Sequence, residues 1–138
     1  MEEKNTNWQK SVCAVVLREG KVLLARHTYG AGKGLFITPG GALLCPAKPV
    51  KLLAVRFSEQ DWYAAFLAAY TGGTPRSDGD ENDRVVWMDC EEALSRPDVP
   101  DLSKKLITAA LSGGGLTPID YAPQREKFGV MTFYAAEK

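Results

Sequence analysis

Apolar positions along this chain come in short runs broken by glycine, proline and charge. Ser11 to Arg18 (SVCAVVLR) is apolar and β-branched, the composition of a buried strand. Glu19-Gly20 is a two-residue turn with its glycine second, and Lys21 to Arg26 (KVLLAR) returns as the hairpin partner. A glycine-rich loop, His27 to Gly34, leads to a short strand, Leu35 to Thr38, that ends at Pro39-Gly40-Gly41. Val50 to Ser58 (VKLLAVRFS) reads as another strand. Asp61 to Thr71 is divided: its alanines favour a helix, while Trp62, Tyr63, Phe66 and Tyr70 suit a strand. Gly72-Gly73-Thr74-Pro75 closes that segment and no N-cap pattern opens it, so a strand is expected.

The second half changes character. Arg76 to Asp83 is a polar loop and Arg84 to Met88 a short strand. Asp89 is placed to N-cap a helix over Cys90 to Ser95, with Glu91 and Glu92 in its positive first turn. After the break at Arg96 to Pro100, Asp101 is expected to cap a helix from Leu102 to Leu111. Leu102, Leu106, Ile107, Ala110 and Leu111 lie on one face of it. Ser112-Gly113-Gly114-Gly115 ends that helix. Leu116 to Lys138 holds a late apolar run, Val130 to Tyr134, which reads as an extra edge strand or as a tail. The order fits an α+β fold, a mixed sheet with flanking helices. One domain over 1–138 is expected, with a core at about 11–111 and a C-terminal extension over 112–138.

Composition narrows the classes of function. Lys plus Arg and Asp plus Glu are 17 each, so the net charge is zero and no electrostatic footprint for nucleic acid or an anionic membrane is present. A small phosphorylated ligand needs only a local cationic pocket and stays open. The N-terminal residues lack an apolar signal core and no run is long enough to span a bilayer, so a cytoplasmic location is expected. The three cysteines, Cys13, Cys45 and Cys90, follow no CxxC spacing, which argues against disulfides and a zinc site. Cys13 reads as a small core residue.

Four pieces in order carry a resemblance: S11-V-C-A-V-V-L-R-E-G-K-V-L-L-A-R26, then G34-L-F-I-T-P-G-G41, then P49-V-K-L-L-A-V-R56, then V85-V-W-M-D89 with E91-E-A-L94. Together they resemble the Nudix family of pyrophosphohydrolases, over roughly Ser11 to Leu111. The resemblance implies a mixed-sheet fold, a substrate with a nucleoside diphosphate linked to another group, and magnesium or manganese as cofactor. In that family a strand ending in Pro-Gly-Gly leads to a helix whose glutamates bind the metal, within the signature G-x5-E-x7-R-E-U-x-E-E-x-G-U, where U is a bulky apolar residue. Such a metal neutralises the phosphates and helps to make hydroxide from bound water.

The signature is poorly filled here. Counting from Gly41, its first glutamate falls on Ala47, its Arg-Glu pair on Val55-Arg56, and its Glu-Glu pair on Glu59-Gln60. The link Ala42 to Lys48 contains no Asp or Glu and includes Pro46; as a helix it would rise only about 10 Å. The expectation is that the catalytic helix is absent or truncated. Activity would then be impaired or lost in a protein whose relatives are hydrolases. The alternative is a non-catalytic nucleotide-binding or protein-interaction module. Loss of the helix would bare apolar residues such as Leu43 and Leu44 and favour a homo-oligomer.

Individual site candidates remain. Glu59 and Glu81 are the carboxylates considered for catalysis, and both, with the Gly41 carbonyl, for metal. Glu81 lies in the acidic loop Asp78 to Asp83, for which a solvated turn is the plainer reading. For a small nucleotide-like ligand the resemblance implies Arg26 against phosphate, Gly40 and Gly41 for close backbone approach, and Phe36 and Tyr63 for stacking. Core packing is the plainer role for the two aromatics. His27, the only histidine, has no partner in a known catalytic pattern.

Overall fold

The computed structural model describes residues 9–40, 47–59, 61–77, 79, 82–122 and 129–136. Strand β1 (Gln9–Arg18) and β2 (Lys21–His27) form the expected hairpin, with Leu17 opposite Val22 and Arg18 opposite Lys21. Its two turn residues, Glu19 and Gly20, have φ of 49° and 78°. Positive φ at both positions matches the right-handed twist of the flanking strands, and it is unfavourable for a residue with a Cβ. Replacing Glu19 by Gly should therefore raise the stability by about 0.5–1 kcal/mol, read as a higher urea midpoint at unchanged slope. An unchanged or lower midpoint would contradict this account of the turn.

A short 3-10 turn (Gly30–Gly32) precedes β3 (Phe36–Ile37), which pairs with β2. Strands β4 (Ala47–Ser58) and β5 (Asp61–Tyr70) form a second hairpin, and β5 lies parallel to β1 over nine register pairs. The sheet runs β3-β2-β1-β5-β4, and β6 (Asn82–Asp89) pairs antiparallel with β2. Both the strand assignment of Asp61 to Tyr70 and the mixed sheet agree with the sequence. Strand β4 starts three residues before the expected Val50, because Ala47, Lys48 and Pro49 pair with Tyr70, Ala69 and Ala68.

Helices α1 (Cys90–Ser95) and α2 (Asp101–Leu111) cover one face of the sheet. Cys13, Val15, Val22, Leu24, Ala65 and Met88 meet Ala93, Val99, Leu106, Ile107 and Ala110 there. Two capping expectations are corrected. Asp89 occupies the N-cap of α1, but its carboxylate makes no capping hydrogen bond. Helix α2 is capped by Pro100, with Asp101 inside the first turn. Proline fixes the extended backbone of that cap (φ −65°, ψ 156°), while the Asp101 charge faces the helix dipole.

The late apolar run is a strand, and it has a partner that the sequence reading did not find. Strands β7 (Thr117–Tyr121) and β8 (Met131–Ala135) form a two-stranded ribbon. Leu116 and Leu52 exchange both backbone hydrogen bonds at 2.9 Å, which ties the ribbon to the edge of the main sheet. The Tyr134 ring lies edge-on to Phe66, with centroids 5.5 Å apart.

Candidate functional site

The Pro-Gly segment is wedged into the sheet. The amide of Ala14 on β1 donates to the Pro39 carbonyl at 3.0 Å, while β3 just before it pairs with β2. Thr38 is buried and held from the helix side: its amide donates to Ser103 Oγ and its hydroxyl to Cys13 Sγ. The backbone around Pro39 and Gly40 is thus fixed by three elements at once, and Gly40 borders a groove on the face opposite α1 and α2.

The sheet separates the sequence candidates. Arg26 and Phe36 sit at the rim of the helix-covered face. The Arg26 guanidinium makes a two-pronged ion pair with Asp83, at 2.9 and 3.1 Å, and lies 6.0 Å from the centre of the Phe36 ring. Phe36 is only 4% exposed and belongs to the core, with Arg96 on its other approach at 5.4 Å. Tyr63 is half-buried on that same face. Burial, then its hydrogen bond with Cys13, pushes the phenol far above its usual range. Burial likewise raises the Cys13 thiol, against smaller lowering effects from Tyr63 and Thr38. Neither group is primed to act as a base or nucleophile near neutral pH.

Glu59 lies in the turn between β4 and β5, exposed to solvent. Val55 and Arg56, counted as the Arg-Glu pair of the signature, lie within β4, and Arg56 pairs with Asp61 at 2.9 Å. Successive side chains of a strand point to opposite faces, so these positions cannot converge as they would on a helix. Gly41, Leu43, Leu44 and Glu81 lie outside the described residues. Among the described residues no three His, Cys, Asp or Glu side chains come together to hold a metal ion. The donor set described does not fit the magnesium implied by the resemblance.

The face opposite the two helices holds a groove of about 330 Å³ beside Gly40, lined by Val12, Ala14, Pro39 and Phe66 among the described residues. Sequence reasoning did not single it out. The signal was available in β1, where Val12, Ala14 and Val16 alternate with Cys13, Val15 and Leu17. A strand that is apolar on both faces marks a sheet built to be covered twice.

Two ion pairs on the helix side set a pH response. The Arg26 guanidinium holds the Asp83 carboxyl below the usual carboxylate range, and Arg96, at 2.7 Å, does the same for Asp98. A depressed folded-state pKa gives stability that is complete above the unfolded value, about 3.9, and lost as pH falls through the folded one. The melting temperature should therefore drop as pH falls below about 4, and Asp98→Asn should lessen that drop. An identical pH profile in the variant would remove Asp98 from the account. The effect is small and salt-sensitive because both pairs are partly exposed.

A mixed sheet with a wedged Pro-Gly turn and helices on one face defines the class: the chain has a Nudix-like fold. No family model matches the sequence, and no curated protein matches it. Solved structures do. A NUDIX hydrolase from Nitrosomonas europaea superposes with a TM-score of 0.66 at 15% identity, over 79% of this chain and 92% of that one. The NUDIX domain of Shewanella oneidensis NrtR, solved with ADP ribose, gives 0.62 at 17%, over 77% and 88%. A MutT NUDIX hydrolase from Burkholderia pseudomallei gives 0.60 at 17%, over 73% and 96%. These superpositions, at such low identity, establish a shared fold alone. No helix among the described residues is long and apolar enough to cross a membrane.

Proposed function

We propose that this chain is a Nudix-fold binding protein that takes a small nucleotide-like ligand and does not hydrolyse it. The observation that carries the reading is the setting of the signature positions. From Ala47 through Arg56 they lie on β4, and Glu59 lies exposed in the turn between β4 and β5. The residues before them, Ala42 to Pro46, include no acid in the sequence. Pyrophosphate hydrolysis assisted by metal needs several carboxylates on one side of the phosphates, and the described residues supply no such group. The ligand class is supported by the fold shared with a domain solved with ADP ribose. Arg26 is the cation available to it at the rim, in competition with Asp83.

The test is phosphate release from a panel of nucleoside diphosphate compounds, with magnesium or manganese, alongside calorimetric titration with ADP ribose. Background release is expected, with binding that weakens in Arg26→Ala. Metal-dependent turnover abolished by Glu59→Gln or Glu81→Gln would overturn the non-hydrolytic reading. Absence of ADP-ribose binding would overturn the ligand class.

A further inference from the structure

Strand register brings two guanidinium groups face to face. Arg26 on β2 lies directly opposite Arg84 on β6 and, on its other side, directly opposite Phe36 on β3. Directly opposite residues share a face of the sheet, so Arg84, Arg26 and Phe36 form one row across three strands. Like charges in that arrangement repel, and the row is unfavourable without an anion. The next pair along the ladder is His27 with Asn82, which leaves Asp83 as an extra residue with no opposite number on β2. Such a bulge re-aims a side chain, and here it brings the Asp83 carboxylate onto Arg26. Asn82 beside it is buried, whereas Asp83 and Arg84 are exposed.

The contact has the form in which arginine grips phosphate. Nε and Nη2 of Arg26 donate to Oδ1 and Oδ2 of Asp83 at 2.9 and 3.1 Å, two hydrogen bonds to two oxygens of one group. A phosphate accepts the same two-pronged fork and brings more negative charge. The side chains of the pair are 36% and 48% exposed, so the pair is weak and its carboxylate is readily displaced. The hydrogen bond from Arg26 first, and the Arg84 charge to a lesser extent, hold the Asp83 carboxyl low, so it competes as an anion at neutral pH. Arg96, the third guanidinium near Phe36, is held by Asp98 at 2.7 Å and Glu92 at 3.5 Å. We propose, resting on the reading of the ligand as nucleotide-like, that Arg26 and Arg84 together seat one of its phosphate groups, and that the bulged Asp83 is a built-in competitor that swings off Arg26 when the phosphate binds.

The test is calorimetric titration of the full chain at constant low ionic strength, with inorganic pyrophosphate and ADP ribose as separate probes. Asp83→Asn keeps the shape of the side chain and removes its charge, and both probes should then bind about 3- to 10-fold tighter. Adding Arg84→Ala to that variant should weaken both by about threefold or more. In an Arg26→Ala background the gain from Asp83→Asn should largely vanish, because the competitor has lost its seat. Asp61→Asn removes the carboxylate of the exposed Arg56 pair and controls for net charge, and it should leave both affinities unchanged. Unchanged or weaker binding in Asp83→Asn would overturn the proposal. So would an equal gain from Asp61→Asn, an undiminished gain in the Arg26→Ala background, or full binding after Arg84→Ala. Pyrophosphate binding that follows Asp83, with no ADP-ribose binding, would overturn the ligand class and leave the seat standing. ADP-ribose binding indifferent to Asp83 would do the reverse, and no binding of either probe to Asp83→Asn would overturn both.

Discussion

Ile107→Ala is expected to destabilise the fold by about 2–5 kcal/mol, the range for removing a large aliphatic side chain from a packed core. Ile107 is fully buried in the middle of α2, between Leu106 and Ala110, against the layer formed by β1, β2 and β5. The loss has two parts: the transfer energy of the deleted carbons and the cavity that the neighbours cannot close. A small domain holds only about 5–15 kcal/mol in total, so one substitution removes a large share. The melting temperature should fall by roughly 10 °C or more. Leu111 lies one turn further along the same helix and is 52% exposed, so Leu111→Ala should cost far less. Equal losses at the two positions in urea titrations would mean that α2 does not pack as described.

The second large effect is expected at Gly115, where the C-terminal ribbon leaves the domain. Its φ of +123° is a conformation that a residue with a side chain rarely adopts, and an added Cβ would lie 3.1 Å from the Leu52 carbonyl oxygen. That oxygen accepts the Leu116 amide, so the Cβ would press on the hydrogen bond that anchors the ribbon. Gly115→Ala should cost about 1–3 kcal/mol in local strain. Most of this should appear as detachment of the ribbon, because α1, α2 and the six-stranded sheet have their own core. Hydrogen exchange should speed up at Leu52 and Leu116 while the amides of β1 and β5 stay protected. Uniform acceleration across the sheet would mean that the ribbon and the sheet open as one unit.

Much of the fold was readable from local signals. The β1–β2 hairpin, the strand ending at Pro39, β6 and both helices each carry their own pattern of apolar spacing and breakers. Three features needed partners distant in sequence. Asp61 to Tyr70 has a composition compatible with helix or strand, and pairing with β1 on one side and β4 on the other makes it a strand. Ala47 to Pro49 has little strand character of its own and is extended because Tyr70 to Ala68 lie opposite. Strand β7 is short, contains Pro118, and exists through its pairing with β8 and the anchor at Leu52.

The candidate site divides in the same way. The chain alone determined that Pro39-Gly40 ends a strand, that the residues following Gly41 bring no carboxylate, and that the strands are apolar enough for a twice-covered sheet. Only the tertiary structure decided where those facts lead. It placed Phe36 and Tyr63 under the helices, engaged Arg26 with Asp83, put Glu59 in a turn, and gathered Val12, Pro39 and Phe66 around one groove. The physical reason is range. Turns, caps and breakers act over a few residues, whereas the face of the sheet on which a side chain lies, and its neighbours there, follow from the register between strands far apart in the chain.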